Sequence, residues 1–305
     1  MNVFTIVLPI FLIIFGGYFF MWRGIIERSW IHVLNAFVYY ISLPALLLIS
    51  FWNIDWTAEG LLPTLGFNFL AVLAFAVLLF LILSVTKLAP RLKASVFLTV
   101  MVGNTVYIGF PIMQDAFGAV HFGQVAAIAT AHILIGLVLA IMVIEYWAVR
   151  SKKAGVYVVD FLKNPLIHGV AIGTVLSLIG FNGYLADIIK KPLSMLGATA
   201  SPVALFALGA FMYGKFIQSH FKLTSIIVGL KLIALPLFVL FIANWFSLSS
   251  VSLGISALSA GVPVAVTVFV IAEQYKLDLA FVGNAILLST AASIVTLSMF
   301  LLKFV

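Results

Sequence analysis

The stretch that decides the fold is Gly-Asn-Thr-Val-Tyr-Ile-Gly-Phe-Pro, Gly103 to Pro111. It places polar and helix-breaking residues inside an apolar run long enough to cross a bilayer. A second interruption, Ser-Ala-Gly-Val-Pro from Ser259 to Pro263, lies in another such run. In both, glycine stands two residues before proline: Gly109 before Pro111, and Gly261 before Pro263. Proline removes a backbone donor and clashes with the preceding turn, while glycine tolerates strained angles. A helix broken in hydrocarbon frees polar groups that protein, water or ligand must satisfy. Either proline alone reads as a packing kink, since proline is common in membrane helices. The pair, in matching places of two halves, reads as a transporter's binding site.

Composition agrees. Of 305 residues, 65% are hydrophobic and 8% charged, against about 25% charged in soluble domains. The apolar runs are continuous rather than alternating, which points to membrane helices and not a barrel. With no cysteine, disulfides, thiolate metal sites and cysteine nucleophiles are excluded. No Walker loop, His-Glu-x-x-His or Gly-x-Ser-x-Gly occurs, so neither an ATP-driven pump nor an intramembrane hydrolase has support. No acidic or histidine cluster has metal spacing, and nothing calls for a cofactor. The net charge of +7 answers to membrane topology rather than to nucleic acid.

Working outward, ten spans are expected, since each needs about 20 apolar residues. They run from about Val3 to Met21, Ile31 to Phe51, Leu61 to Val85, Ala94 to Phe117 (interrupted) and Phe122 to Trp147. After a hydrophilic connection they resume at about Pro165 to Ile179, Pro192 to Tyr213, Leu223 to Phe246, Val251 to Tyr275 (interrupted) and Leu279 to Leu302. The first has no basic residue before it and reads as a retained span rather than a signal peptide. Pro44 in the second span answers Pro202 in the seventh, and Pro111 answers Pro263. The expected organisation is residues 1–150, a linker at 151–164, and residues 165–305. Two consecutive repeats of five spans must insert in opposite orientations.

Basic residues orient them. One set of connections holds Arg23, Arg28, Lys87, Arg91, Lys93, Arg150, Lys152, Lys153, Lys163, Lys215, Lys222 and Lys276. The other set holds only Lys190, Lys191 and Lys303. The positive-inside rule then puts both termini outside the cell membrane.

Polar residues inside the spans are the candidate site. Asn104 and Thr105 read as ligand contacts beside an unwound backbone, or as interhelical hydrogen bonds. Tyr107 could donate there or simply pack. Gly109, Pro111, Gly261, Val262 and Pro263 form the breaks. Lys231 in the eighth span costs about 2.5–3.5 kcal/mol at a span centre on insertion scales. It reads as snorkelling, as an anion partner, or as a coupling group. Asn68 in the third span stands near the corresponding place. Asp115 and Glu273, on the later arms, and His132 in the fifth span are coupling candidates. Each also reads structurally, as solvated helix ends and a packing histidine.

These strings together resemble bacterial members of the auxin efflux carrier family, relatives of the plant auxin exporters. The resemblance spans essentially the whole chain. It rests on Ser42–Leu46, Gly103–Pro111, Lys163–Ile167, Ser201–Gly209 and Gly261–Glu273, in that order. It implies ten helices in two inverted five-helix repeats, with the two broken helices crossing at their prolines. It implies a scaffold of spans 1, 2, 6 and 7 that forms a homodimer, and a transport part of spans 3–5 and 8–10. It implies small organic anions as substrates, such as auxin-like acids, malate or malonate. It also carries a carboxylate-binding role to Asn104. The long cytosolic loop of many plant exporters has no counterpart here.

The expected function is therefore non-enzymatic: a secondary carrier moving a small carboxylate by alternating access. The alternatives are a sodium-coupled symporter of the bile-acid type and a membrane sensor that binds without transport. Sodium needs several converging oxygens, and Gly261–Thr267 offers few. Topology is checked with reporters: one fused after Val305 is expected outside the cytoplasm, and one inserted near Lys153 inside. A cytoplasmic C-terminus contradicts the inverted-repeat reading.

Overall fold

The computed structural model describes residues 3–57, 60–149, 165–214 and 221–305, without the side chains of Val3–Val7, Ala119, Phe122, Val149, Leu166, Val270, Glu273 and Gln274. The expected linker at 151–164 and the side chain of Glu273 lie outside the described residues. Within them every regular element is helical. Hydrocarbon dictates this, because a helix pairs its own amides and carbonyls without water.

The chain begins with α1 (Val3–Trp22). Helix α2 (Arg28–Phe37) passes through a π-helical turn, Val38–Ser42, into α3 (Leu43–Trp52). Helix α4 is Leu61–Val85. Next come α5 (Pro90–Met101), a π-helical turn at Thr105–Gly109, and α6 (Phe110–Phe117). Helix α7 (Phe122–Ile144) ends in a third π-helical turn, Glu145–Val149. The later elements are α8 (Pro165–Leu178), α9 (Tyr184–Ala198), α10 (Ala200–Met212) and α11 (Phe221–Gly229). A fourth π-helical turn, Leu230–Ala234, joins α11 to α12 (Leu235–Ala243). The chain closes with α13 (Ser250–Gly261), α14 (Thr267–Gln274) and α15 (Leu279–Phe304).

Among the described residues six helical stretches are long and apolar enough to cross a membrane: Arg28–Trp52, Leu61–Val85, Gly123–Ala148, Tyr184–Met212, Phe221–Ala243 and Leu279–Phe304. The other expected spans fall on α1, on α8, and on the interrupted pairs α5–α6 and α13–α14. The seventh differs from expectation, because α9 starts at Tyr184 and carries Pro192 inside it. Lys190, expected in a loop, is helical. Its ammonium lies 4.7 Å from the Trp52 ring centroid and donates to Asn53 Oδ1 at 2.9 Å. A long stem lets the charge reach such partners from a helix.

Three of the π-helical turns run directly into an α-helix with proline in its first turn: Pro44, Pro111 and Pro236. Proline has no N–H to give and crowds the preceding turn. A widened turn accommodates it without ending the helix. Pro111 therefore does not break its span, contrary to expectation. The extended segment lies earlier, at Val102–Asn104, between α5 and the π-helical turn.

Helices meet where glycine removes the side chain, a common device in membranes. A Cβ on Gly17 of α1 would collide with the Phe206 carbonyl of α10, and one on Gly209 of α10 with the Ile14 carbonyl of α1. Helix α8 lies equally close on α3: a Cβ on Gly169 would stand 2.6 Å from the Pro44 carbonyl oxygen, and one on Gly173 would strike that of Leu48. Helices α4, α5, α7, α13 and α15 enclose the main core, centred on residues such as Phe67, Phe97, Ile128, Leu258 and Phe281. Exposed Phe69, Leu70, Val77 and Leu81 on α4 suit contact with lipid.

Gly209→Ala is expected to destabilise the purified protein by about 1–3 kcal/mol or more, since backbone has to move. Gly16→Ala, where a Cβ meets nothing within 4 Å, should shift it by less than about 0.5 kcal/mol. Thermal unfolding in detergent compares the two.

Candidate functional site

The two interrupted helices cross at their extended segments. Gly103 and Val264 form an isolated antiparallel bridge. The Asn104 N–H donates to the Pro263 carbonyl at 2.6 Å, and the Ala265 N–H donates to the Val102 carbonyl at 3.1 Å. The Val264 N–H is taken by Ser289 Oγ of α15 at 3.0 Å. The Asn104 carbonyl accepts from both Ile108 and Gly109, at 3.1 and 3.2 Å. The segments thus leave the helix and still pair these buried groups. Pro263 suits the second break, since it has no donor to satisfy. The crossing therefore joins Pro263 to Gly103–Asn104. Pro111 is further along, in the helical arm.

Two glycines let the arms close. A Cβ on Gly103 would stand 2.6 Å from Val262 Cγ2, and one on Gly109 would stand 2.9 Å from Val262 Cγ1. Gly261 has no such need, because its nearest neighbour, Pro236 Cγ, would be 3.4 Å away.

Lys231 meets this crossing from a third helix. The π-helical turn Leu230–Ala234 carries it, its residue is 2% exposed, and Nζ donates to the Ala260 carbonyl at 3.0 Å. The same Nζ would lie 2.8 Å from a Cβ on Gly103. It does not snorkel. Asn104 is also buried, and its amide Nδ2 has no hydrogen-bond partner. Thr105 is buried and makes only a long contact, 3.5 Å, to the Gly103 carbonyl. Tyr107 is buried in the same π-helical turn, which packs against α7 and α10.

Asn68 and His132 belong to a satisfied network instead. Asn68 Nδ2 donates to the Thr64 carbonyl at 2.8 Å and to Ser256 Oγ at 2.9 Å. Its Oδ1 lies 2.7 Å from His132 Nε2. An amide oxygen only accepts, so that ring nitrogen carries the proton. Ser256 in turn donates to the Ser252 carbonyl at 2.7 Å, and Gln124 donates to Ser252 Oγ at 2.7 Å. One face of α13 thus receives Gln124 at Ser252, Asn68 at Ser256 and Lys231 at Ala260, successive four-residue steps along one stripe. Asp115 is exposed on α6, away from this network's hydrogen bonds.

Sequence reading missed Ser289 and the Ala260 carbonyl, for which no local signal exists. It also passed over Glu145, whose two carboxylate oxygens are buried without partners at the end of α7. No group of three or more His, Asp or Glu side chains among the described residues could hold a metal ion.

An all-helical membrane chain, with two interrupted helices paired at buried polar groups, has the architecture of a transporter. The chain belongs to the membrane transport protein family of auxin-efflux-carrier-like proteins, whose family model matches residues 2–301. It is 22% identical, over 96% of each chain, to an uncharacterized transporter of Methanocaldococcus jannaschii. It is 27% identical to the probable auxin efflux carrier component 9 of Oryza sativa subsp. japonica, over 44% of this chain and 32% of that one. An uncharacterized transporter of Methanothermobacter thermautotrophicus is 23% identical, over 64% of this chain and 62% of its own.

The two asparagines should behave differently on mutation. Asn68→Leu leaves the buried His132 Nε2–H without its acceptor, while Ser256 keeps its bond to the Ser252 carbonyl, and should lower stability by about 1–3 kcal/mol. Asn104→Ala removes an Nδ2 that has no protein partner, and should cost less than half as much. Denaturation of ligand-free protein distinguishes them.

Proposed function

We propose that the protein is a secondary carrier for a small organic anion, a carboxylate, bound at the crossing and moved by alternating access. One observation carries this: the buried, unpartnered Asn104 amide sits at the bridge where two helices are interrupted. A buried donor without a partner is costly, and a carboxylate oxygen would satisfy it. The arms that begin beyond the breaks, at Thr105 and Thr267, turn their positive ends toward the crossing, which favours an anion. Thr105 and Tyr107 flank the same place, and the buried Lys231 adds positive charge. The rice relative's name, an auxin efflux carrier, agrees with an organic-acid substrate.

The architecture we propose is ten spans in two inverted repeats, residues 1–150 and 165–305. The support is an exchange of partners: first-half α1 packs on second-half α10, while second-half α8 packs on first-half α3. Spans 1, 2, 6 and 7 would then be the scaffold, paired in a homodimer, and the rest the moving part. His132, Asp115 and Glu273 are the residues to test for proton coupling.

Asn104→Ala should weaken carboxylate binding about tenfold or more, because a hydrogen bond to a charge is worth about 1.5–3 kcal/mol. Pro263→Ala restores an N–H at the break and should impair flux more than folding, since helix continuity is favourable in hydrocarbon. Ligand binding and proteoliposome flux are measured beside wild type. Wild-type affinity and flux in both variants would falsify the site.

A further inference from the structure

The carbonyl that Lys231 engages is of a particular kind. Helix α13 ends at Gly261, so the carbonyls of its last turn, Ala260 included, have no partner within the helix. That end carries the negative pole of the helix dipole. In carriers with broken helices, carbonyls at such ends are what hold coupling cations. Here the position is taken by an amine from another helix. Lys231 Nζ lies 3.0 Å from the Ala260 oxygen and against the backbone of Gly103, where even a methyl group would stand 2.8 Å from it. The lysine is fully enclosed, at 2% exposure, and no acidic side chain among the described residues pairs with it. The His132 Nε2 proton is accepted by Asn68. A buried ammonium in hydrocarbon is expensive, and the local compensation on view is the helix end. The π-helical turn that carries Lys231 is the kind of irregularity often found at functional sites.

We infer that Lys231 is a tethered cation occupying what would otherwise be a monovalent-cation site at the carbonyl end of α13. The wild-type carrier then needs no alkali ion at this crossing, and shortening Lys231 uncovers a latent site. The separation of 3.0 Å is that of an ammonium hydrogen bond, and suits ammonium or potassium better than the smaller sodium. The role as a substitute for a coupling ion rests on the carrier reading. The cation site itself is testable without it.

The experiment is thermal unfolding of full-length purified protein in choline, sodium, potassium or ammonium chloride at equal ionic strength. Wild type should unfold at the same temperature in all four. Lys231→Ala should gain a saturable several degrees in ammonium or potassium, less in sodium and none over choline itself, because a ligand that binds only the folded state stabilises it. Lys231→Met fills the space without charge and should not respond. A second small variant, Lys231→Ser, is run in parallel in case the alanine protein is poorly recovered. The inference is overturned if a folded small variant ignores every cation, or if wild type or Lys231→Met responds as strongly. It is overturned equally if neither small variant folds in any of the salts, since a free cation should replace the amine. Carboxylate flux is assayed separately in wild type. Loss of that flux with cation rescue intact rejects the carrier reading alone.

Discussion

A backbone that leaves the helix inside hydrocarbon has to find partners for its freed groups, and no water is at hand to supply them. Here the two interrupted helices supply them to each other. The pair of hydrogen bonds between Asn104 and Pro263 and between Ala265 and Val102 is the join on which the centre of the molecule depends. Gly103 and Gly109 are small because Val262 occupies the space a side chain would need. Ser289 takes the remaining Val264 amide from α15. Neither break is stable alone, so each arm's conformation is a condition for the other's.

Around that join the polar groups divide into two kinds. Asn68, His132, Ser256, Ser252 and Gln124 satisfy one another along α13. Networks of this sort fix a unique packing, because a partly satisfied one is costly at low dielectric. Asn104, by contrast, keeps an amide donor unpaired while buried. Among the described residues other buried polar atoms also lack partners, the hydroxyls of Thr130, Thr224 and Thr290 among them, but the Asn104 amide is the one beside the bridge between the interrupted helices. That contrast is what the proposed ligand site rests on.

Much of the fold was legible in the sequence, because hydrocarbon demands long apolar runs. Leu61 to Val85 was readable end to end: Gly60 precedes it and Lys87 closes it. The start of α9 was not readable, since Lys190, Lys191 and Pro192 together look like a loop. The partners that Lys190 finds there, Trp52 and Asn53, lie far away in sequence and leave no local trace. Within the site, Asn104 and Lys231 stood out as polar residues in apolar runs. The position of the first break did not, because Pro111 is the evident breaker in the sequence while the residues that leave the helix are Val102–Asn104. The partners of these residues, a serine and a main-chain carbonyl from distant helices, have no local signature.

The π-helical turn at Leu230–Ala234 has a consequence for how the eighth span is drawn. One residue of an α-helix corresponds to about 100° of rotation. A turn that holds one residue more than an α-turn therefore puts α11 and α12 out of phase by about that angle. A helical wheel through Phe221–Ala243 at uniform spacing would assign the lipid-facing side of α12 to the wrong azimuth. The buried faces Thr224, Ile227 and Val228 before the turn, and Leu235 and Val239 after it, belong on two wheels. A single-residue deletion inside the turn would be the change that merges them, and it would swing Lys231 away from α13.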